Sequence, residues 1–165
     1  MIALLPGCAL QVPVLPPRSP GADGLVLAIH GGGDDPSVWA DSLAATYAAA
    51  LDDPEGWDVV ALDWSDDADA ALTAAHRGRR IGEALGPEIE QLGYSDLHLV
   101  AHSVGAHLAH AIAVTEGDRL NTQLTLLDPF VGSGLVRWGY GRERFGDGAA
   151  FAEAYVDTDD GVPST

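Results

Sequence analysis

Three apolar runs, each closed by a polar or glycine-rich turn, recur along the chain at Leu25 to His30, Trp57 to Trp64 and Leu97 onward, and Asn121 to Asp128 is expected as a further strand. Continuous rather than alternating apolar character predicts strands buried on both faces. Between them lie alanine-rich segments with apolar residues at helical spacing. One runs from Ser37 to about Leu51 and is stopped by Asp52-Asp53-Pro54-Glu55-Gly56. An acidic one runs from Ser65 to about Leu92, with breaks expected near Gly78, Gly82 or Gly86-Pro87. A third follows Ser103 to about Glu116. Strands alternating with helices need crossover connections, so the pattern predicts an α/β fold: a mostly parallel sheet flanked by helices, in a single domain over residues 1–165.

The flanks are less regular. Five of the ten prolines fall between residues 6 and 21, around Leu10 to Leu15, so this segment is expected as an edge strand or an extended lead-in. After Asp128 come Pro129 and a glycine-rich loop, and Phe151 to Val156 is expected as a last short strand or a helix.

Composition narrows the partners. The formal charge is −17, with 25 acidic residues against 8 basic ones, all of them arginine. Nucleic acid is therefore not an expected partner, because its phosphates need a basic surface. No apolar run reaches the length of a membrane span. One cysteine, Cys8, excludes an intrachain disulfide and a thiolate metal site. The apolar opening lacks a basic leader region, so no clear signal peptide is read and the compartment is left open.

In a parallel sheet the site lies beyond the carboxyl ends of the strands. The residues expected there are His30-Gly31-Gly32, Asp63-Trp64-Ser65, Ser103 and Asp128. Ser103 lies in Leu99-Val100-Ala101-His102-Ser103-Val104-Gly105, an apolar run passing into small residues and then a helix. That is the pattern of a nucleophile elbow. Small residues two before and two after the serine allow strand and helix to pass closely, and the helix N-terminus favours developing negative charge. Acyl transfer needs a nucleophile, a base, an acid to orient the base, and oxyanion donors. Ser103 suits the first role and Asp128 the orienting acid. The backbone N–H groups of Val104 and Gly32, with Gly33 as the neighbouring option, suit the oxyanion.

These segments, with Val60-Ala61-Leu62-Asp63-Trp64, Ala106-His107 and Leu126-Leu127-Asp128-Pro129, resemble the α/β-hydrolase fold over residues 25 to 130, closest to the lipase branch typified by pancreatic lipase. The resemblance implies a serine carboxylester hydrolase of lipase or esterase type acting on an ester or lipid substrate, without a cofactor. It carries Ser103 and Asp128 over as nucleophile and acid, and favours secretion. Ala101 stands where the family has the first elbow glycine.

The base is the larger departure. In that family the catalytic histidine follows the acid, and here no histidine follows His110. The resemblance thus implies a fold incomplete at its C-terminus, lacking a strand, a helix and the histidine loop, and a chain inactive or weak as it stands. Among the six histidines, His30 is expected to bond within its loop and His102 to point away from Ser103. His98 and His76 are expected to be packing or surface residues. His107 and His110 lack a third metal ligand, so no metal site is expected. The rival readings are a non-catalytic domain that keeps the fold for binding, or a histidine donated by a second chain. An uncovered sheet edge would promote self-association. Trp39, Trp64, Phe130 and Trp138 are candidates for an acyl pocket wall, with core or loop packing the simpler reading.

Overall fold

A computed structural model describes residues 10–69, 73–116, 120–133 and 139–159. The strands are β1 (Gly24–Ile29), β2 (Trp57–Leu62), β3 (Asp96–His102), β4 (Asn121–Leu127) and β5 (Phe151–Tyr155). They form one sheet in the order β2-β1-β3-β4-β5, with every neighbouring pair parallel. Helices α1 (Ala40–Ala50), α2 (Ser65–Ala68), α3 (Ala74–Leu92), α4 (Gly105–Thr115) and α5 (Tyr140–Arg144) complete the described fold, with a 3₁₀ turn at Pro54–Gly56.

Strand periodicity sorts the core into two faces. Leu25, Leu27, Ile29, Leu97, Leu99, Ala101, Leu124 and Leu126 pack with Ile81, Leu85 and Ile89 of α3 and Leu108 and Ile112 of α4. His98 faces the other way, and its Nδ1 lies 2.5 Å from the hydroxyl of Tyr47 on α1. All six residues of β1 are buried, as its unbroken apolar run predicts.

Of the two readings for 10–15 the extended lead-in holds: Leu10, Val12 and Leu15 pack on the core while the Gln11 N–H donates to the Asp67 carboxylate at 3.0 Å. Two expectations change. The helical segment from Ser65 is divided ahead of Ala74, and α3 runs unbroken through Gly78, Gly82, Gly86 and Pro87. Those glycines are contact points rather than breaks. A Cβ on Gly82 would lie 2.4 Å from the Leu108 carbonyl, and one on Gly86 2.2 Å from Thr115 Oγ1, so α3 and α4 approach nearly backbone to backbone. Burial of the paired helices outweighs the propensity cost of glycine and proline. Finally, α5 forms inside the stretch expected as loop, anchored by the Gly141 N–H to the Val131 carbonyl at 2.8 Å.

Candidate active site

Strand register brings the predicted residues to one edge of the sheet. Ile29 pairs with both Leu62 and Ala101, His102 with Leu127, and Leu127 with Tyr155. The residues that follow, His30 to Gly33, Asp63, Ser103 and Asp128, therefore leave the sheet side by side.

Ser103 has φ 49° and Asp128 φ 43°, and they are the two non-glycine residues in the left-handed region among the described residues. That region is disfavoured for a side-chain-bearing residue and persists only where the surroundings hold it. Here the Ser103 N–H donates to the Leu127 carbonyl at 3.0 Å, and the Asp128 N–H donates to the Tyr155 carbonyl at 2.7 Å. The Asp157 N–H reaches Asp128 Oδ1 at 3.3 Å. The tight passage expected of an elbow is present. A Cβ on Gly105 would lie 2.6 Å from the His30 carbonyl, and Ala101 is fully buried with room for its methyl.

The glycine loop reaches this elbow. A Cβ on Gly32 would lie 3.3 Å from Val104 Cγ1 and 3.1 Å from the Ala68 carbonyl, so the two residues read as oxyanion donors are neighbours. Gly33 takes φ 75°, a conformation that suits glycine. His30 is fully buried and braces the loop, as expected. Its Nδ1 lies 2.9 Å from the Gly31 carbonyl, so that nitrogen carries the proton, and its Nε2 accepts from the Trp64 N–H at 3.4 Å. The Trp64 indole N–H donates to the His30 carbonyl at 2.9 Å, which makes Trp64, 2% exposed, a core brace rather than a pocket wall.

The other histidines divide clearly. His76 is exposed on α3. His98 bridges Tyr47 and Thr125 Oγ1. His107 and His110 are buried among Tyr140 and Phe145, and His107 also contacts Phe130. Burial pushes His107 down to about 4. Its ring contact with Phe130 packs α4 against the loop beyond Asp128. A Cβ on Gly31 would lie 2.9 Å from His102 Nδ1 and 3.1 Å from Ser103 Cβ, so the glycine lets its loop pass closely by this turn. Asp34 Oδ2 stands 3.7 Å from that nitrogen, and Trp39 meets the ring edge-on at 6.0 Å.

Asp34 escaped the sequence reading; the signal was an acidic residue directly after the glycines. Trp138 lies outside the described residues. Among the described residues no three His, Cys, Asp or Glu side chains come together as a metal site. A cleft of about 200 Å³ opens beside the loop after Asp128, walled by Leu126, Pro129, Val131, Phe145 and Ala154.

The family model described as the alpha/beta hydrolase family matches residues 25–164. No curated protein is significantly similar in sequence. Among solved structures, the crystal structure of esterase PE8 is similar at TM-score 0.53 and 17% identity, over 88% of this chain and 87% of that one. LpqC, a poly(3-hydroxybutyrate) depolymerase from Bordetella parapertussis, is similar at TM-score 0.46 and 14% identity, over 85% of this chain and 75% of that one. The Francisella virulence factor BioJ is similar at TM-score 0.45 and 16% identity over 66% of this chain, which spans only 37% of BioJ.

Proposed function

The chain belongs to the alpha/beta hydrolase family, and on that premise we propose that it is a serine carboxylic ester hydrolase of the esterase or lipase type. Ser103 is the nucleophile and Asp128 the acid. The backbone N–H groups of Gly32 and Val104 receive the oxyanion of the tetrahedral intermediate. One observation carries the reading: Ser103 and Asp128 hold left-handed backbone at the ends of adjacent parallel strands, beside a glycine loop that touches Val104. Backbone strain gathered at one sheet edge points to a site. The similarity to esterase PE8 supports the fold that such a site requires, and the order of motifs favours the pancreatic lipase branch.

Ester carbonyl carbon is attacked by Ser103 Oγ, the alcohol departs, and water releases the acid from the acyl-enzyme. Among the described residues no histidine hydrogen-bonds to Ser103, so slow turnover is expected of these 165 residues. Oxyanion stabilisation and binding alone leave roughly 10³–10⁴ over water in hydrolases deprived of a triad member. The test is hydrolysis of a short p-nitrophenyl ester by the wild type and by Ser103→Ala. Slow turnover that vanishes in the variant is expected; equal turnover in both overturns the reading. A non-catalytic binding module is the second reading, favoured by the lack of any hydrogen bond from a histidine to Ser103 among the described residues. The proposal extends to self-association through β5, an edge of the described sheet on which Phe151 is 55% and Tyr155 60% exposed.

A further inference from the structure

We infer, resting on the ester-hydrolase reading above, that Asp67 and its partner Arg77 position the oxyanion donor at Gly32. Helix α2 is a single turn in which the N–H groups of Asp67 and Ala68 both donate to the Trp64 carbonyl at 3.0 Å. One turn does not hold itself in water, so contacts outside it must set its place. Asp67 supplies them. Its side chain is 2% exposed, and each carboxylate oxygen is taken by a different element. Oδ2 accepts from the Gln11 N–H of the lead-in at 3.0 Å, and Oδ1 accepts from the Arg77 guanidinium on α3. A buried carboxylate stripped of such partners is costly, so the charge pins α2 between one segment far upstream and one just downstream.

Helix α2 in turn backs the glycine loop. The residue after Asp67 is Ala68, 1% exposed, and a Cβ on Gly32 would lie 3.1 Å from the Ala68 carbonyl and 3.3 Å from Val104 Cγ1. Gly32 therefore runs through a slot between α2 and the turn after Ser103. The same two helices meet again one residue along: a Cβ on Gly78, next to Arg77, would lie 3.3 Å from Trp64 Cζ3, and the Trp64 indole holds the His30 carbonyl at 2.9 Å. Trp64 fixes the start of the loop, and Asp67 fixes the wall behind its donor. From Arg77 to Gly32 the path is a run of packed groups: guanidinium, carboxylate, one helical turn, glycine loop.

An oxyanion donor works only when its N–H meets the oxygen at about 2.7–3.1 Å, and removing one donor costs roughly 10²–10³ in rate. Releasing α2 opens the slot on its Ala68 side and lets Gly32 drift from Val104, the other proposed donor. Ser103 itself stays in place, because its own peptide groups are bonded to Leu127 and Phe130. Loss of the Asp67 charge therefore slows the covalent step and leaves binding of the reagent unchanged. Asp67 exchanges no proton in this role.

The test is the concentration dependence of fluorophosphonate labelling at Ser103, mapped by peptide mass spectrometry, with imidazole in solution as a base. Oγ bonds to phosphorus, fluoride leaves, and imidazole takes the proton. Saturation separates the limiting rate from the half-saturating concentration. Wild type is compared with Asp67→Asn, with Arg77→Lys, and with Glu83→Gln, which breaks ion pairs on α3 that do not involve Asp67. Arg77 is 27% exposed, so Arg77→Lys folds and tests the same tie from its other end. Expected is a limiting rate lower by about 10-fold in Asp67→Asn and about 3-fold in Arg77→Lys, at an unchanged half-saturating concentration, with wild-type labelling in Glu83→Gln. In a Gly32→Ala background, where the loop is already displaced, Asp67→Asn should bring no further fall. Unchanged limiting rates in the folded variants, with only a smaller folded fraction, overturn the positioning role and leave Ser103 as nucleophile. A full additional fall in the Gly32→Ala background overturns it as well. No labelling of wild-type Ser103 overturns the ester-hydrolase reading itself, and the role of Asp67 with it.

Discussion

The backbone N–H of Phe130 donates to the carbonyl of Ser103 at 3.1 Å, so the loop leaving Asp128 is bonded to the turn that carries the serine. On the other side of the same residue, the Ser103 N–H donates to the Leu127 carbonyl at 3.0 Å. Both peptide groups of Ser103 are thus fixed by the strand and loop that flank Asp128. His107 adds a packing contact from α4, its ring 6.2 Å from that of Phe130. The two sharp turns form one unit, and this is why each can keep a backbone conformation that neither would hold alone.

That strain is measurable at Ser103 itself. Replacement by alanine keeps the penalty of a Cβ at φ 49°, whereas glycine removes it. Ser103→Gly should exceed Ser103→Ala in stability by about 1 kcal/mol by urea denaturation. Neither should label with a fluorophosphonate.

Gly105 tests the close passage of strand and helix. A Cβ there meets the His30 carbonyl at 2.6 Å and Ile29 Cγ2 at 3.1 Å, and backbone cannot yield as a side chain can. Gly105→Ala should cost about 2 kcal/mol of unfolding free energy and displace the glycine loop, seen as slower Ser103 labelling in the folded fraction.

Trp64 tests the brace beneath the glycine loop. Trp64→Phe keeps an aromatic ring but removes the indole donor to the buried His30 carbonyl. A loss of about 1–2 kcal/mol is expected, the usual cost of a buried acceptor left without its partner. Unchanged stability would show that the carbonyl does not depend on the indole.

His107 sets an acid limit on stability. Its folded value, about 4, lies below the ordinary 6.5 because burial disfavours the charged ring. The unfolded chain therefore binds this proton first. The stabilisation is complete above pH 6.5 and is lost as pH falls towards 4, reaching about 3 kcal/mol at most. His98 and His110, also lowered by burial, act in the same direction. The groups acting on His107 are His110 and Arg79, both opposing its protonation. His107→Gln should be less stable at neutral pH and should show a shallower decline between pH 6.5 and 4 than wild type.

The exposed edge of β5 should drive association. Sedimentation velocity of the wild type is expected to depend on concentration, and a Phe151→Lys, Tyr155→Lys pair should shift it towards monomer. A concentration-independent wild-type monomer would refute the self-association.

Much of this architecture was legible because it is written in local patterns. Apolar runs specify β1 to β3, and a polar or glycine residue after each run marks where a parallel sheet presents its chemistry. Ser103, Asp128 and Gly32 could be placed at the strand ends for that reason, whereas the bracing of the loop by His30 was what the family resemblance implied. The glycines of α3 misled, because Gly82 and Gly86 have low helical propensity and only the approach of α4 gives them a purpose. Phe151 to Tyr155 stayed ambiguous between strand and helix, since pairing with β4 is what makes it a strand.

The sequence by itself determined the alternation of strands and helices and the residues at the strand ends, because hydrophobic period and turn chemistry act over a few neighbours. Tertiary structure alone decided that α3 runs through Pro87, that β5 joins the sheet, and that Asp34 and Trp39 close around His102. Those relations depend on distances between residues far apart in the chain, set by burying two faces of one sheet at once.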